Sequence, residues 1–241
     1  MSLHPEIAAV LAGESEGCIV TGNSLEVMAD MPDGCIEMGC ADPPFGVGLK
    51  YDTDLFIDTQ EWWNDNVPKA VDHLLRICFG PVLCWGSAPK ILENGNRFSE
   101  KHQRLIIWAP SFTLSKTMSN GMFWRWLPIF AWRLPKKHKG PTFDIMYHSC
   151  SGHDWWYHPG TRPLNVMVDL CGLASPESII IDPFCGSGTT CVAAKKLGRK
   201  FIGIELVEKY ADIARKRIEQ TPAPRIVDGV EREVKGKSCF F

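Results

Sequence analysis

The chain has 241 residues, 45% hydrophobic and 22% charged, enough apolar material for one large α/β domain or two small ones. No window approaches the roughly 18 unbroken apolar residues of a membrane span. Met1 to Glu16 carries acids and no Lys or Arg ahead of a short apolar stretch, which argues against a secretory signal and predicts a cytoplasmic protein. Ten cysteines in a chain of this length, without an export signal, read as reduced thiols. Cys18, Cys35, Cys40, Cys78, Cys84 and Cys191 sit in apolar or strand-like surroundings and are expected to pack as small hydrophobes. Cys150, His153 and His158 lack a fourth ligand at a recognised spacing, so no metal is expected.

The formal net charge of −2 hides an asymmetry. Residues 1–96 hold 4 basic against 15 acidic side chains, residues 97–139 hold 9 against 1, and residues 140–241 hold 13 against 12. The basic block is interleaved with Phe112, Phe123, Trp124, Trp126 and Trp132. Positive charge mixed with flat rings suits a phosphate backbone and exposed bases. A solvated loop region with a few core aromatics would have the same composition.

In chain order, Cys18 to Thr21 and Ile36 to Ala41 read as strands. Between them Ser24 to Met31 reads as a helix capped by Asn23 or Ser24 and closed by Pro32-Asp33-Gly34. Gln60 to Cys78 is an amphipathic helix with Trp63, Val67, Val71, Leu74 and Leu75 on one face, and Pro68 predicts a kink or a late start. Pro81 to Trp85 and Leu105 to Trp108 are buried-strand candidates. From about Thr113 to Pro159 the pattern dissolves into Pro, Gly, Lys, His and Trp, with Leu127 to Trp132 still strand-like. Regularity returns with a helix over Arg162 to Leu173, a strand over Ser178 to Asp182, a helix over Thr189 to Leu197 and a strand over Lys200 to Glu205. A charged helix follows over Val207 to Gln220. The tail, 221–241, is Pro-rich and then charged. The division expected is one catalytic domain, 1–220, with a basic recognition insertion at about 97–155. Alternating strands and helices imply a doubly wound, mostly parallel sheet, whose ligands bind beyond the carboxyl ends of the strands.

Two segments at strand ends carry chemistry. In Ile179 to Cys191 a strand runs through a glycine turn into a helix; Gly186 and Gly188 admit a ligand to the backbone, and the helix start offers free N–H groups. Glu205 ends the next strand and is placed to accept from both hydroxyls of a ribose. This pattern fits NAD, FAD or S-adenosylmethionine. Cys191 in place of a third glycine, and Asp182-Pro183-Phe184 ahead of the turn, argue against a dinucleotide oxidoreductase. Asp42-Pro43-Pro44-Phe45 is more specific. Two prolines make a rigid extended loop without backbone donors, so a carboxylate and a carbonyl stand together as acceptors for the two hydrogens of an aromatic amine. Holding both hydrogens aims the nitrogen lone pair at an electrophilic methyl, and Phe45 offers a face on which a base stacks.

At these residues the chain resembles the amino-methyltransferases of DNA, makers of N6-methyladenine or N4-methylcytosine, in the motif order of the permuted β class. The family includes the modification enzymes of restriction–modification systems. The likeness extends to His158-Pro-Gly-Thr-Arg-Pro163 and to Thr21-Gly-Asn-Ser24, and spans about residues 18–50 and 155–215. It implies a Rossmann-like fold, S-adenosyl-L-methionine as cofactor and double-stranded DNA as partner. By resemblance Asp42, Pro43, Pro44 and Phe45 are catalytic. Asn23 lies by the cofactor's adenine, Glu205 by its ribose, and Phe184, Gly186, Gly188 and Thr189 around its methionine part. Asp182 lies by its amino group, and Thr161 and Arg162 approach its carboxylate; Asp42 borders the same cofactor. Asn23 stands where Asp is commoner, Phe45 where Tyr is, and Arg162 where Lys is. In the family an Asp at the first motif position usually marks adenine, so Asp42 favours N6-adenine in a flipped-out base over N4-cytosine. Other readings are an RNA amine as target, or an idle DNA-binding partner of another methyltransferase. For the DNA surface the candidates are Arg125, Arg133, Lys136, Lys137 and Lys139. So short a recognition region points to a short or loosely read target, or to a homodimer in which a second copy assists.

Overall fold

A computed structural model describes residues 2–51, 54, 58–110, 126–135, 144–148, 160–222, 226–227 and 230–231. The Cys150, His153 and His158 group lies outside them.

The apolar runs form one eight-stranded sheet. Its strands are β1 (Gly17–Thr21), β2 (Met38–Ala41), β3 (Val82–Trp85), β4 (Arg104–Pro110), β5 (Leu127–Trp132), β6 (Ile145–His148), β7 (Ile179–Asp182) and β8 (Lys200–Glu205), in the spatial order β1-β8-β7-β2-β3-β5-β4-β6. Every pairing is parallel except the two that flank β5, which runs against its neighbours. Three strands from the basic middle thus continue the main sheet.

Both faces are covered, as a parallel sheet requires. Alternate side chains of one strand enter opposite cores: Ile19 and Ile180 face the cluster built with α5 (Leu164–Cys171), α6 (Thr189–Lys196) and α7 (Glu208–Glu219). Val20 and Ile181 face the cluster built with α1 (Pro5–Ala12), α2 (Ser24–Ala29) and α3 (Gln60–Ile77). A short helix, α4 (Ile91–Gly95), follows β3. Of the cysteines described, Cys18, Cys40, Cys78, Cys84, Cys171, Cys185 and Cys191 are buried free thiols and Cys35 a half-buried one.

Several boundaries differ from expectation for local reasons. α3 runs unbroken through Pro68, held by the burial of Trp63, Val67, Ala70, Val71 and Leu74, and capped where Thr59 Oγ1 accepts from the Trp62 N–H at 3.1 Å. α5 starts at Leu164 rather than Arg162, because Pro163 is its N-cap with ψ 136° and a residue before proline is held out of the helical region. Arg162 therefore stays in the loop. α1 was not expected, although Pro5 at its first turn and Gly13 in the left-handed conformation (φ 82°) are ordinary start and stop signals. β6 was not expected either: four residues with Ile145 and Tyr147 exposed give no continuous apolar run.

Arg133, a candidate for the DNA surface, is engaged within the chain. It ends β5 with φ 53°, and its Nη1 donates to the carbonyls of Leu75 at 2.9 Å and Cys78 at 2.6 Å, closing the C-terminus of α3. Glu100 lies 3.7 Å from its Nη2. Arg97 and Arg104 of the same block pair with Glu93 and Asp144. Arg133→Met should lower the unfolding free energy by ~1–2 kcal/mol in urea titrations while leaving the salt dependence of DNA binding unchanged. Unchanged stability with a shallower salt slope would return Arg133 to the DNA surface.

Candidate active site

β2, β7 and β8 are parallel neighbours, with Gly39 beside Ile181 and Asp182 beside Gly203. Asp42, Asp182 and Glu205 therefore leave the sheet at one edge, the carboxyl edge.

The turn after β7 is built around two of these acids. Asp182 accepts from the Phe184 N–H at 3.0 Å and from the Thr190 hydroxyl. Glu205 accepts from the Gly186 N–H at 2.8 Å through one oxygen and from the Val207 N–H at 2.9 Å through the other. Gly186 (φ 51°) and Gly188 (φ 81°) need the left-handed region. A Cβ on Gly188 would sit 2.8 Å from that of Ala214, so α7 packs directly on the turn. From α7, Arg217 donates to the Ser187 carbonyl at 2.6 Å and to the hydroxyls of Ser187 and Thr189 at 2.9 and 3.1 Å.

Beyond β2, Asp42 meets Arg162: Nη2 donates to Oδ1 at 2.8 Å. The guanidinium carbon lies 5.0 Å from the ring centre of Phe45 and 5.0 Å from that of Trp85, the last residue of β3. The loop that follows folds around the buried carboxylate of Asp58, which accepts from the N–H groups of Gly46 at 2.6 Å, Val47 at 3.3 Å and Leu49 at 2.8 Å. Burial pushes the Asp42 carboxyl up from 3.8 to about 6, against the downward pull of Arg162. Burial pushes Asp182 up from 3.8 to about 7, opposed by its Thr190 and Phe184 donors and reinforced by Asp42 and Glu205. Glu205 is raised by burial too.

These groups line a cleft with two lobes. One, about 660 Å³ with its mouth, is bordered by Asn23, Leu25, Trp62, Glu205, Val207 and Tyr210. The other, about 680 Å³, is bordered by Pro43, Phe45, Thr161, Arg162, Gly186 and Thr189. Asp42, Tyr51 and Phe184 border both.

Of the residues expected here, Asn23, Asp42, Pro43, Pro44, Phe45, Thr161, Arg162, Asp182, Phe184, Gly186, Thr189 and Glu205 border the cleft. Gly188 lies behind it, under α7. Asn23 also caps α2, accepting from the Leu25 N–H at 3.0 Å. Arg162 pairs with Asp42, where its resemblance placed it by a cofactor carboxylate. Arg125, Lys136, Lys137 and Lys139 lie outside the described residues. Tyr51, Asp58, Trp62, Trp85 and Arg217 were not foreseen. Trp62 had a signal: of two adjacent tryptophans on a helix only one, here Trp63, faces the core, and Trp62 stands edge-on to Phe184 at 6.5 Å.

Residues 92–216 match the family model for N6/N4-type DNA methylases. The chain belongs to that family. The matched stretch holds the glycine turn, Arg162 and Glu205, while Asp42 lies before it. Among relatives of this DNA methylase, the type II methyltransferase M.ScaI of Streptomyces caespitosus is 24% identical over 256 residues, covering 85% of this chain and 82% of its own. The solved M1.HpyAVI–SAM complex superposes with a TM-score of 0.64 at 21% identity, over 84% of this chain and 98% of that one. The PvuII DNA methyltransferase, which is cytosine-N4-specific, gives 0.66 at 16% identity, over 84% and 86%. At these identities the solved structures establish the shared fold. Among the described residues no helix is long and apolar enough to cross a membrane.

Asp182 sets a pH-dependent cost in the ligand-free methylase. Its folded pKa is raised, so the stability present below pH 3.8 is lost as pH climbs toward 7. Asparagine does not titrate. Asp182→Asn should therefore raise the thermal midpoint over wild type at pH 8, with the gap shrinking by pH 5; a gap constant across that range would mean Asp182 does not ionise there.

Proposed function

We propose that this DNA methylase transfers a methyl group from S-adenosyl-L-methionine to the N6 amino group of adenine in double-stranded DNA, and that Asp42 acts on the target amine. The observation that carries the reading is the position of Asp42, which borders both lobes of the cleft. A cofactor lying along the cleft and a base stacked on Phe45 would meet at its carboxylate.

The residues suit this cofactor. Trp62 and Phe184 supply aromatic walls and Leu25 and Val207 apolar ones for an adenine ring. Glu205 has both oxygens fixed by backbone donors, and their remaining lone pairs suit ribose hydroxyls. Asp182 and Glu205 are held by neutral donors, so a ligand bearing positive charge relieves the cost of ionising them. When bound, the cofactor supplies an electrophilic methyl on a positively charged sulfur.

The chain's own groups then have these tasks. Asp42, with an acceptor carbonyl on the rigid Pro43-Pro44 loop, would hold the amine's two hydrogens and turn its lone pair toward the methyl. Phe45 would stack on the extruded base. The methylated nitrogen is acidic enough to lose its proton without a strong base. Asp at the first position of the motif is what favours adenine over cytosine.

Incubation with methyl-labelled cofactor and DNA, followed by digestion to nucleosides, should place the label on N6-methyl-2′-deoxyadenosine; label on deoxycytidine would overturn the choice of base. Asp42→Ala should lower kcat by ~10³-fold or more while leaving cofactor binding intact. Retained turnover would refute its role. Glu205→Ala should raise the Kd for S-adenosylhomocysteine ~10–100-fold in calorimetry, and an unchanged Kd would show the ribose assignment to be wrong.

A further inference from the structure

Arg162 has a geometry that its resemblance to a cofactor-binding residue does not explain. Pro163 keeps its backbone extended at the mouth of α5. Its guanidinium is then clamped between the rings of Phe45 and Trp85, 5.0 Å from each centre, and donates to Asp42 Oδ1 at 2.8 Å. Trp85 is fully buried, so one jaw of the clamp belongs to the core. The pair is almost withdrawn from water, with side-chain exposures of 11% for Arg162 and 15% for Asp42. Two rings and one carboxylate thus orient the planar guanidinium, while its buried Nε–H is left without a partner among the described residues.

We propose that Arg162 is a positioning residue for methyl transfer: it holds Asp42 as a carboxylate and ties back Oδ1, so that Oδ2 is presented as an acceptor to the target amine. This rests on the reading of Asp42 given above.

The surroundings of Asp42 make such a partner necessary. It is faced by Asp182 beyond β7, by Tyr51 from the following loop, by the thiols of Cys40 on its own strand and Cys84 on β3, and by Arg162. Glu205 lies further along the same edge. Of these groups Arg162 carries the positive charge. Even with Arg162 in place, burial holds the Asp42 carboxyl at about 6. Without it, a buried carboxyl among acids takes up a proton instead of remaining charged. A protonated Asp42 turns an O–H toward the N–H groups it must accept from, donor against donor. The loss falls on kcat and is repaired by raising the pH.

The test compares wild type with Arg162→Met, Arg162→Gln and Arg162→Lys, following kcat against pH and the Kd for S-adenosylhomocysteine. Thermal midpoints identify which neutral variant is folded, and either suffices. In wild type kcat should rise through an apparent pKa near 6. In a neutral variant that limb should move up by about a unit or more, with a rate loss of about tenfold per unit at fixed pH below it, recovered at alkaline pH. The Kd should stay within about threefold, and Arg162→Lys should restore the limb. A Kd raised about tenfold or more with the limb unmoved would overturn the proposal and give Arg162 to the cofactor's carboxylate. Asp42→Asn separates the two levels: a wild-type rate and limb in that variant would sink the role of Asp42 itself, independently of Arg162.

Discussion

A carboxylate withdrawn from water needs a donor or a cation, and this fold brings three carboxylates to one place. Parallel pairing of β2, β7 and β8 sends Asp42, Asp182 and Glu205 off the same edge, where burial raises the pKa of each. The site's other features answer that load. Backbone N–H groups of the glycine turn meet Glu205 and Asp182, the Thr190 hydroxyl meets Asp182, and Arg162 meets Asp42. The donors that satisfy the acids are also the groups that shape the turn, so electrostatic need and loop conformation have a common solution. What the protein leaves uncompensated, a positively charged cofactor is suited to supply.

The two halves of the cleft are held by different means. The glycine turn is rigid through packing, with α7 against Gly188 and Arg217 fastened to Ser187 and Thr189. After Asp42, Gly46, Val47 and Leu49 are tied to one buried acid, Asp58, which gathers their three backbone N–H groups.

The central sheet is legible in the sequence because strands buried on both faces read as unbroken apolar runs. β8 matches its expected span, Lys200 to Glu205, and β7 differs by one residue. The glycine turn and the Pro-Pro loop are legible too, since their backbone constraints are local. What escapes is what depends on partners far along the chain. By charge alone Arg133 reads as a base contact, a phosphate contact or a salt bridge, and only the fold shows it donating to the carbonyls of Leu75 and Cys78. Arg162 carried a role by resemblance, and only the fold puts it between Phe45 and Trp85. Asp58 was one acid among fifteen in the N-terminal stretch until the loop closed on it. β6 and α1 are too short for periodicity to declare them.

The reversed direction of β5 divides the basic middle of the chain in two. Its first residues pair with the ends of β3 and β4, Ile129 beside Trp85 and Leu127 beside Trp108, so the chain enters β5 level with the three acids. It leaves at the other rim, where Arg133 touches the end of α3. At that same rim Asp144 is ion-paired to Arg104, the first residue of β4. The two ends of β5 thus lie at opposite rims of the sheet, one level with the acids and the other against α3. Basic segments that are neighbours in the chain are therefore joined to the sheet at opposite ends of one strand.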